Sequence, residues 1–180
     1  IDGVRHNAVL LIEQGKIVSV RAKQDLPNYG VFDEKRVFAA GPMPDPISFK
    51  GVKIGVPICE DVWTPNVVAH LANAGTEIFL VPNGSPFEAD KGVLRRKLIE
   101  DRVRESKIPM IYCNEVGGQD ELVFDGGSFG LNGDGSLAVA LPAFAEDVVV
   151  TNWVKDDAGK WMCASDAPKV DYPSGLDAIY

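Results

Sequence analysis

Histidine is nearly absent from this chain: His6 and His70 are the two among 180 residues. No His, Cys and carboxylate side chains fall at metal-ligand spacing, so no metal centre is expected. His70 lies along the helix expected after Cys59, where its ring points away from that sulfur, which argues for a solvated residue rather than a Cys–His dyad. Cysteine is also sparse. Cys59, Cys113 and Cys163 are odd in number and far apart, so neither a disulfide framework nor a zinc spacing is indicated, and Cys113 and Cys163 are expected to be small core residues. Basic charge is short, with 18 Lys and Arg against 26 Asp and Glu and a net charge of −8. That balance argues against a nucleic-acid or anionic-membrane partner. No apolar run approaches the roughly 18 residues of a membrane span, and no basic-then-apolar segment opens the chain. The expected location is the cytoplasm.

Phosphate-cradling loops are missing as well. Gly159-Lys160 has Val154 where a P-loop needs its first glycine, and the glycines at 126, 127, 130, 133 and 135 suit hairpins rather than Gly-x-Gly-x-x-Gly between a strand and a helix. Ser174-Gly175-Leu176-Asp177 lacks the preceding strand and second glycine of an ATP-pyrophosphatase loop. There is no internal repeat.

What is present is 46% hydrophobic and 24% charged, enough for one domain with a sizeable core. Asn7 to Glu13 and Lys16 to Arg21 flank a Gln14-Gly15 turn and predict a hairpin. Gln24 to Pro46 reads as a loop with a possible short strand over Arg36 to Ala40. After Cys59, Thr64-Pro65 supplies a cap and a first-turn proline; Val67, Val68, Leu71 and Ala72 recur at helical spacing, and Gly75 closes the helix. Glu77 to Pro82 reads as a buried strand, Phe87 to Lys107 as a helix with the pairs Leu94, Leu98 and Ile99, Val103, and Pro109 to Asn114 as a strand. Strand, helix, strand, helix, strand describes two βαβ crossovers and a locally parallel sheet. Leu122 to Leu131, a Gly133-Asp134-Gly135 turn, Ser136 to Leu141, Asp147 to Val154, an Asp156 to Gly159 turn, and Trp161 to Ala164 add hairpins. The expected class is α/β, a mixed sheet with outer helices. Ile1 in place of Met, and a helix-like start before Tyr180, lead us to expect a fragment.

Two residues carry chemistry. Cys59 ends the apolar run Lys53-Ile54-Gly55-Val56-Pro57-Ile58-Cys59 and is followed by Glu60-Asp61-Val62-Trp63, so a buried strand delivers the sulfur to a helix start, where a thiolate is favoured. Lys23, just after the hairpin, supplies an ammonium that would favour the thiolate and would also stabilise the oxyanion formed when sulfur attacks an amide carbonyl, with a backbone N–H after Cys59 as second donor. A buried structural thiol with a solvated lysine is the alternative from residue types alone.

At these residues the chain resembles the nitrilase, or carbon–nitrogen hydrolase, superfamily. Lys23-x-x-Leu26-Pro27 with Phe32-Asp33-Glu34 is similar to its lysine motif, Ile58-Cys59-Glu60-Asp61-Val62-Trp63 to its cysteine motif, and Val81-Pro82-Asn83-Gly84-Ser85-Pro86 to the segment that follows. Leu26 to Arg36 and Asn114 to Ser128 resemble more closely the glutaminase domains of glutamine-dependent NAD synthetases. The resemblance implies a nitrilase-like αββα sandwich whose N-terminal part is missing, and Cys thioester hydrolysis of glutamine. Cys59 would be the nucleophile, Lys23 the triad lysine and Glu34 a glutamate orienting lysine and substrate. Tyr29, Glu60, Trp63 and Ser85 fall where such domains hold glutamine.

The family's general-base glutamate, in a Pro-Glu segment upstream of the lysine, has no match before Lys23; Glu13 lacks that context. It is expected ahead of Ile1, so this chain alone is expected to be a poor glutaminase. Residues 1–165 are read as a partial glutaminase domain and 166–180 as a linker toward a missing synthetase domain, which would hold ATP and Mg; this chain needs no cofactor of its own. A truncated sandwich would expose apolar surface, so a homo-oligomer is expected. A stand-alone nitrilase-type amidase on another small amide, or a catalytically inactive assembly domain, remain alternatives.

Overall fold

The computed structural model describes residues 3–173 and 175–178. Ile1, Ser174 and Tyr180, which entered the reading of the chain's ends and of the pyrophosphatase-like run, lie outside them. Strands β1 (Ala8–Glu13) and β2 (Lys16–Ala22) form the expected antiparallel hairpin, turned at Gln14 and Gly15 with φ of 50° and 75°. A short helix, α1 (Glu34–Val37), stands where the strand over Arg36 to Ala40 was expected. The Phe38 N–H donates to the Glu34 carbonyl and closes a helical turn, and Pro42, Pro44 and Pro46 have no N–H with which to build a ladder.

Then follow β3 (Ile47–Phe49), β4 (Val52–Gly55), a 3-10 turn (Cys59–Val62), α2 (Pro65–Asn73), β5 (Ile78–Asn83), α3 (Lys91–Ser106) and β6 (Met110–Asn114). The last part comprises β7 (Val116–Gln119), β8 (Leu122–Asp125), β9 (Phe129–Leu131), β10 (Leu137–Ala140), β11 (Trp153–Lys155) and β12 (Trp161–Cys163), and a 3-10 turn at Gly175–Ala178. One six-stranded sheet runs β10-β9-β6-β5-β4-β3. Its β4/β5 and β5/β6 pairs are parallel, as the two crossovers require, while β3/β4, β6/β9 and β9/β10 are antiparallel. The class is α/β with a mixed sheet, as the sequence led us to expect.

Helices α2 and α3 cover one face. Val67, Val68 and Leu71 of α2 and Ile99 and Val103 of α3 pack on Phe79, Val81, Met110, Tyr112, Phe129 and Leu131. Truncating Phe79 to Ala in such a setting costs about 3–5 kcal/mol. Leu94, by contrast, is exposed, because Arg95, one position along, takes the inward stripe with Ile99. Residue alternation in β6 buries Met110, Tyr112 and Asn114 under the helices and turns Ile111 and Cys113 to the other face. Cys113 is therefore exposed, and Cys163, on the β11–β12 ribbon, is only partly covered; neither is a core thiol. That second face, with Leu80 and Ile111, meets Val9 and Leu11 of the hairpin across an apolar cavity of about 380 Å³.

Three element boundaries shift for local reasons. Phe87 donates its N–H to the Val123 carbonyl instead of starting α3, which begins at Lys91. Gly126 and Gly127, with φ of 63° and 61°, break the Leu122 to Leu131 run, so β8 pairs with β7 and only β9 joins the main sheet. Of Asp147 to Val154, only the end is strand; Val148 and Val150 are 93% and 82% exposed.

Candidate active site

Lys23 is the first residue past β2 and its backbone is held on both sides. Its N–H donates to the Asn7 carbonyl (2.8 Å) and its carbonyl accepts from Gly41 (2.7 Å). A Cβ at Gly41 would fall 2.6 Å from that of Ala22, so only glycine allows this approach. The Lys23 side chain is 1% exposed and donates to both Glu34 oxygens, at 2.9 and 3.0 Å. Asn7 Nδ2 donates to the same carboxylate at 3.3 Å. Glu34 therefore anchors the ammonium.

Cys59 opens the 3-10 turn with φ of 46°, a left-handed conformation that costs a non-glycine residue about 1 kcal/mol or more. Asp61 holds that turn. One of its oxygens accepts from the Ile58 N–H (2.9 Å), the other from the N–H groups of Asp25 (2.7 Å) and Gln24 (3.2 Å). A single buried carboxylate thus ties the lysine loop to the cysteine turn. Thr64 adds a second tie: instead of capping α2, its hydroxyl donates to Asp25 Oδ2 (3.0 Å).

The electrostatics at sulfur differ from the expectation of a favoured thiolate. Burial pushes the Cys59 thiol up; the Lys23 ammonium and the Gly84 backbone pull it down, while Glu60 and Glu34 push it up again, and the net direction is upward. Burial is the largest of these influences, and the helix start expected at the sulfur is a single 3-10 turn, with α2 beginning only at Pro65. The resting group is a thiol.

Next to it, both Glu60 oxygens lie 3.0 Å from the Tyr29 hydroxyl. Burial raises the Glu60 carboxyl, against the Tyr29 hydrogen bond and Lys23; Tyr29, through burial and Glu60, is pushed up to about 12. They border an open depression of about 660 Å³ with Asp25, Leu26, Pro27 and Thr64. Lys91, paired with Glu88, has its ammonium 5.9 Å from the Phe32 ring centroid, and Phe32 packs edge-on to Tyr29.

Ser85, 3% exposed, stands just past β5. Its N–H donates to Asn114 Oδ1 (3.0 Å), and Arg95 Nε donates to its hydroxyl (3.1 Å). Arg95 is in turn clamped by Asp125 through two contacts, at 2.6 and 2.8 Å. Trp63 packs against the core cluster. The structure therefore gathers Cys59, Lys23, Glu34, Glu60 and Tyr29 at one place, sets Ser85 next to Gly84 just past β5, and packs the half-buried Trp63 against the core. His70 is exposed on α2. Sequence reasoning missed Asp61, Arg95, Asn114 and Asp125. Arg95 had a signal: it shares a helical stripe with the apolar Ile99 and Val103, where an unpaired guanidinium would be costly.

Comparison with known proteins agrees with this geometry. The carbon–nitrogen hydrolase family model matches residues 2–162. A glutamine-dependent NAD(+) synthetase of Rhodobacter capsulatus is 49% identical over 175 residues, covering 97% of this chain and 31% of the relative. The solved glutamine-dependent NAD+ synthetase of Acinetobacter baumannii superposes with a TM-score of 0.85 at 37% identity, over 94% of this chain and 32% of that one. An amidase from Nesterenkonia superposes with a TM-score of 0.58 at 29% identity, over 71% of this chain and 47% of that one. The chain thus spans about a third of the length of the synthetases it matches. Its fold, its strand-end cysteine and the matched model place it plainly: this chain belongs to the carbon–nitrogen hydrolase family.

Proposed function

We propose that this domain hydrolyses the side-chain amide of glutamine through a Cys59 thioester. The observation that carries the reading is the buried Lys23 ammonium, held by Glu34 and acting on the Cys59 sulfur. Sulfur attacks the amide carbon as it gives up its proton, the carbonyl oxygen takes the negative charge beside Lys23, and the amide nitrogen gains that proton as the C–N bond breaks, so that ammonia leaves and an acyl thioester remains. Water then releases the acid and restores the thiol. Glu34 is committed to Lys23 and is read as its anchor, not as the base that activates water. Glutamine suits these residues: Glu60, half-buried and hydrogen-bonded to Tyr29, is read as the partner of its ammonium, and the Ser85 hydroxyl as a donor to its carboxylate or amide.

The names of the long relatives support a wider role in glutamine-dependent NAD+ synthesis; our reading of that role is ammonia supply to a synthetase domain that amidates nicotinic acid adenine dinucleotide with ATP, in a cytoplasmic homo-oligomer. Among the described residues, no group of three or more His, Cys, Asp or Glu side chains could hold a metal ion. We assign ATP and Mg to the synthetase domain, and no step above runs through them.

The test is saturable labelling of Cys59 by an electrophilic glutamine analogue, read by mass spectrometry. Glutamine should protect and acetamide should not, and Cys59→Ala should abolish the adduct. Protection by simple amides but not by glutamine would overturn the substrate and favour a stand-alone amidase. Absence of any adduct would favour an assembly domain.

A further inference from the structure

A buried polar chain runs from the far end of the described residues to the substrate wall. After β12 the backbone turns back along β10: the Ala140 N–H donates to the Pro168 carbonyl (2.8 Å) and the Val170 N–H to the Ala140 carbonyl (3.1 Å). This strap, within the segment expected as a linker, carries Tyr172 into a socket made by glycine. A Cβ at Gly92 would fall 2.2 Å from the Tyr172 ring and one at Gly127 would fall 2.9 Å from it, so both positions keep the ring's place open.

The seated hydroxyl donates to Asp125 Oδ2. Asp125, fully buried, holds Arg95 Nη1 and Nη2 at 2.6 and 2.8 Å. Arg95 Nε then donates to the Ser85 hydroxyl (3.1 Å), and Nη2 to the carbonyls of Ser85 (3.1 Å) and Pro86 (2.9 Å). Burial and the Asp125 carboxylate push the Tyr172 hydroxyl up, so it keeps its proton and stays a donor. A guanidinium is rigid and planar, so the carboxylate that aims it also aims everything it touches. The neighbour of Ser85, Gly84, lies close enough for its backbone to pull the Cys59 thiol down.

We propose that Tyr172 is a positioning residue for the substrate: acting through Asp125 and Arg95, its hydroxyl sets where Ser85 meets the bound amide, so that seating of the strap tightens substrate binding. This rests on the reading of Ser85 as a substrate contact.

The test uses the 180-residue chain with a chloroketone that keeps glutamine's ammonium and carboxylate. Tyr172→Phe retains the ring in its socket and removes only the hydroxyl. Its half-saturating chloroketone concentration should rise about threefold to tenfold, the net worth of one ordinary hydrogen bond, since the loss reaches the substrate only through Asp125, Arg95 and Ser85. The limiting rate of Cys59 labelling and the rate with iodoacetamide should stay unchanged, and hydrogen exchange at the Gly84 and Ser85 amides should quicken. In a Ser85→Ala background, Tyr172→Phe should add nothing further. Unchanged exchange and half-saturation in Tyr172→Phe, or additive effects in the double variant, overturn the relay. Faster exchange with unchanged half-saturation, or no saturable labelling in the unsubstituted chain, overturns the substrate reading at Ser85 and the role of Tyr172 with it.

Discussion

Two buried cation–carboxylate pairs stand in this domain and do different work. Arg95 and Asp125, 2.6 Å apart, are 3% and 0% exposed in their side chains. The Arg95 donors are spread over Asp125, Ser85 and Pro86, so the charge is spent on holding loops together. Lys23 and Glu34, 2.9 Å apart, are 1% and 18% exposed. Here the ammonium donates to one carboxylate, and its field reaches Cys59 and Glu60. A planar fork with several donors suits architecture; a compact charge on a flexible stem suits electrostatics at a reacting centre. Burial alone does not mark a catalytic ion pair. What its donors are left to act on does.

That contrast can be broken by substitution. Asp125→Ala strands the Arg95 charge in the interior and should cost about 3–5 kcal/mol of stability, read as a shift of the urea midpoint; an unmoved midpoint would deny the pair its architectural role. Lys23→Met should instead strike chemistry, lowering the limiting rate of Cys59 labelling by the glutamine analogue about 10²–10³-fold. Lys23→Arg should not rescue it, since a guanidinium lacks the compact charge; labelling at the unsubstituted rate in Lys23→Met would demote the lysine to packing.

Glu60→Gln removes the proposed partner of the substrate ammonium and should raise the half-saturating analogue concentration about tenfold, with iodoacetamide as the control that should hardly respond. Equal half-saturation in the two proteins would move the ammonium site elsewhere. The mildest expected effect is in pH dependence. Because burial favours the neutral thiol over the Lys23 attraction, iodoacetamide should alkylate Cys59 more slowly than free cysteine at neutral pH. The rate should keep climbing beyond the free thiol's pKa of about 8.5. Lys23→Met should move the profile further up; a profile centred below that of free cysteine would show that the ammonium, not burial, dominates.

Much of this was legible in the chain because it is local. The apolar run ending at Cys59, the proline after Thr64, the alternation in β6 and the two crossovers follow from periodicity and backbone chemistry within a few residues. The resemblance of the Lys23, Cys59 and Asn114 to Ser128 motifs carried the family and the expected substrate. Tertiary structure decided what depends on residues distant in sequence meeting without water. Asp61 joins the lysine loop to the cysteine turn, and Tyr172, Asp125 and Arg95 converge on Ser85, with no spacing rule to announce either. The protonation of Cys59 is of the same kind: the residue types promised a thiolate, but a charge's cost depends on its surroundings, and around the partly exposed Cys59 burial outweighs the pull of Lys23.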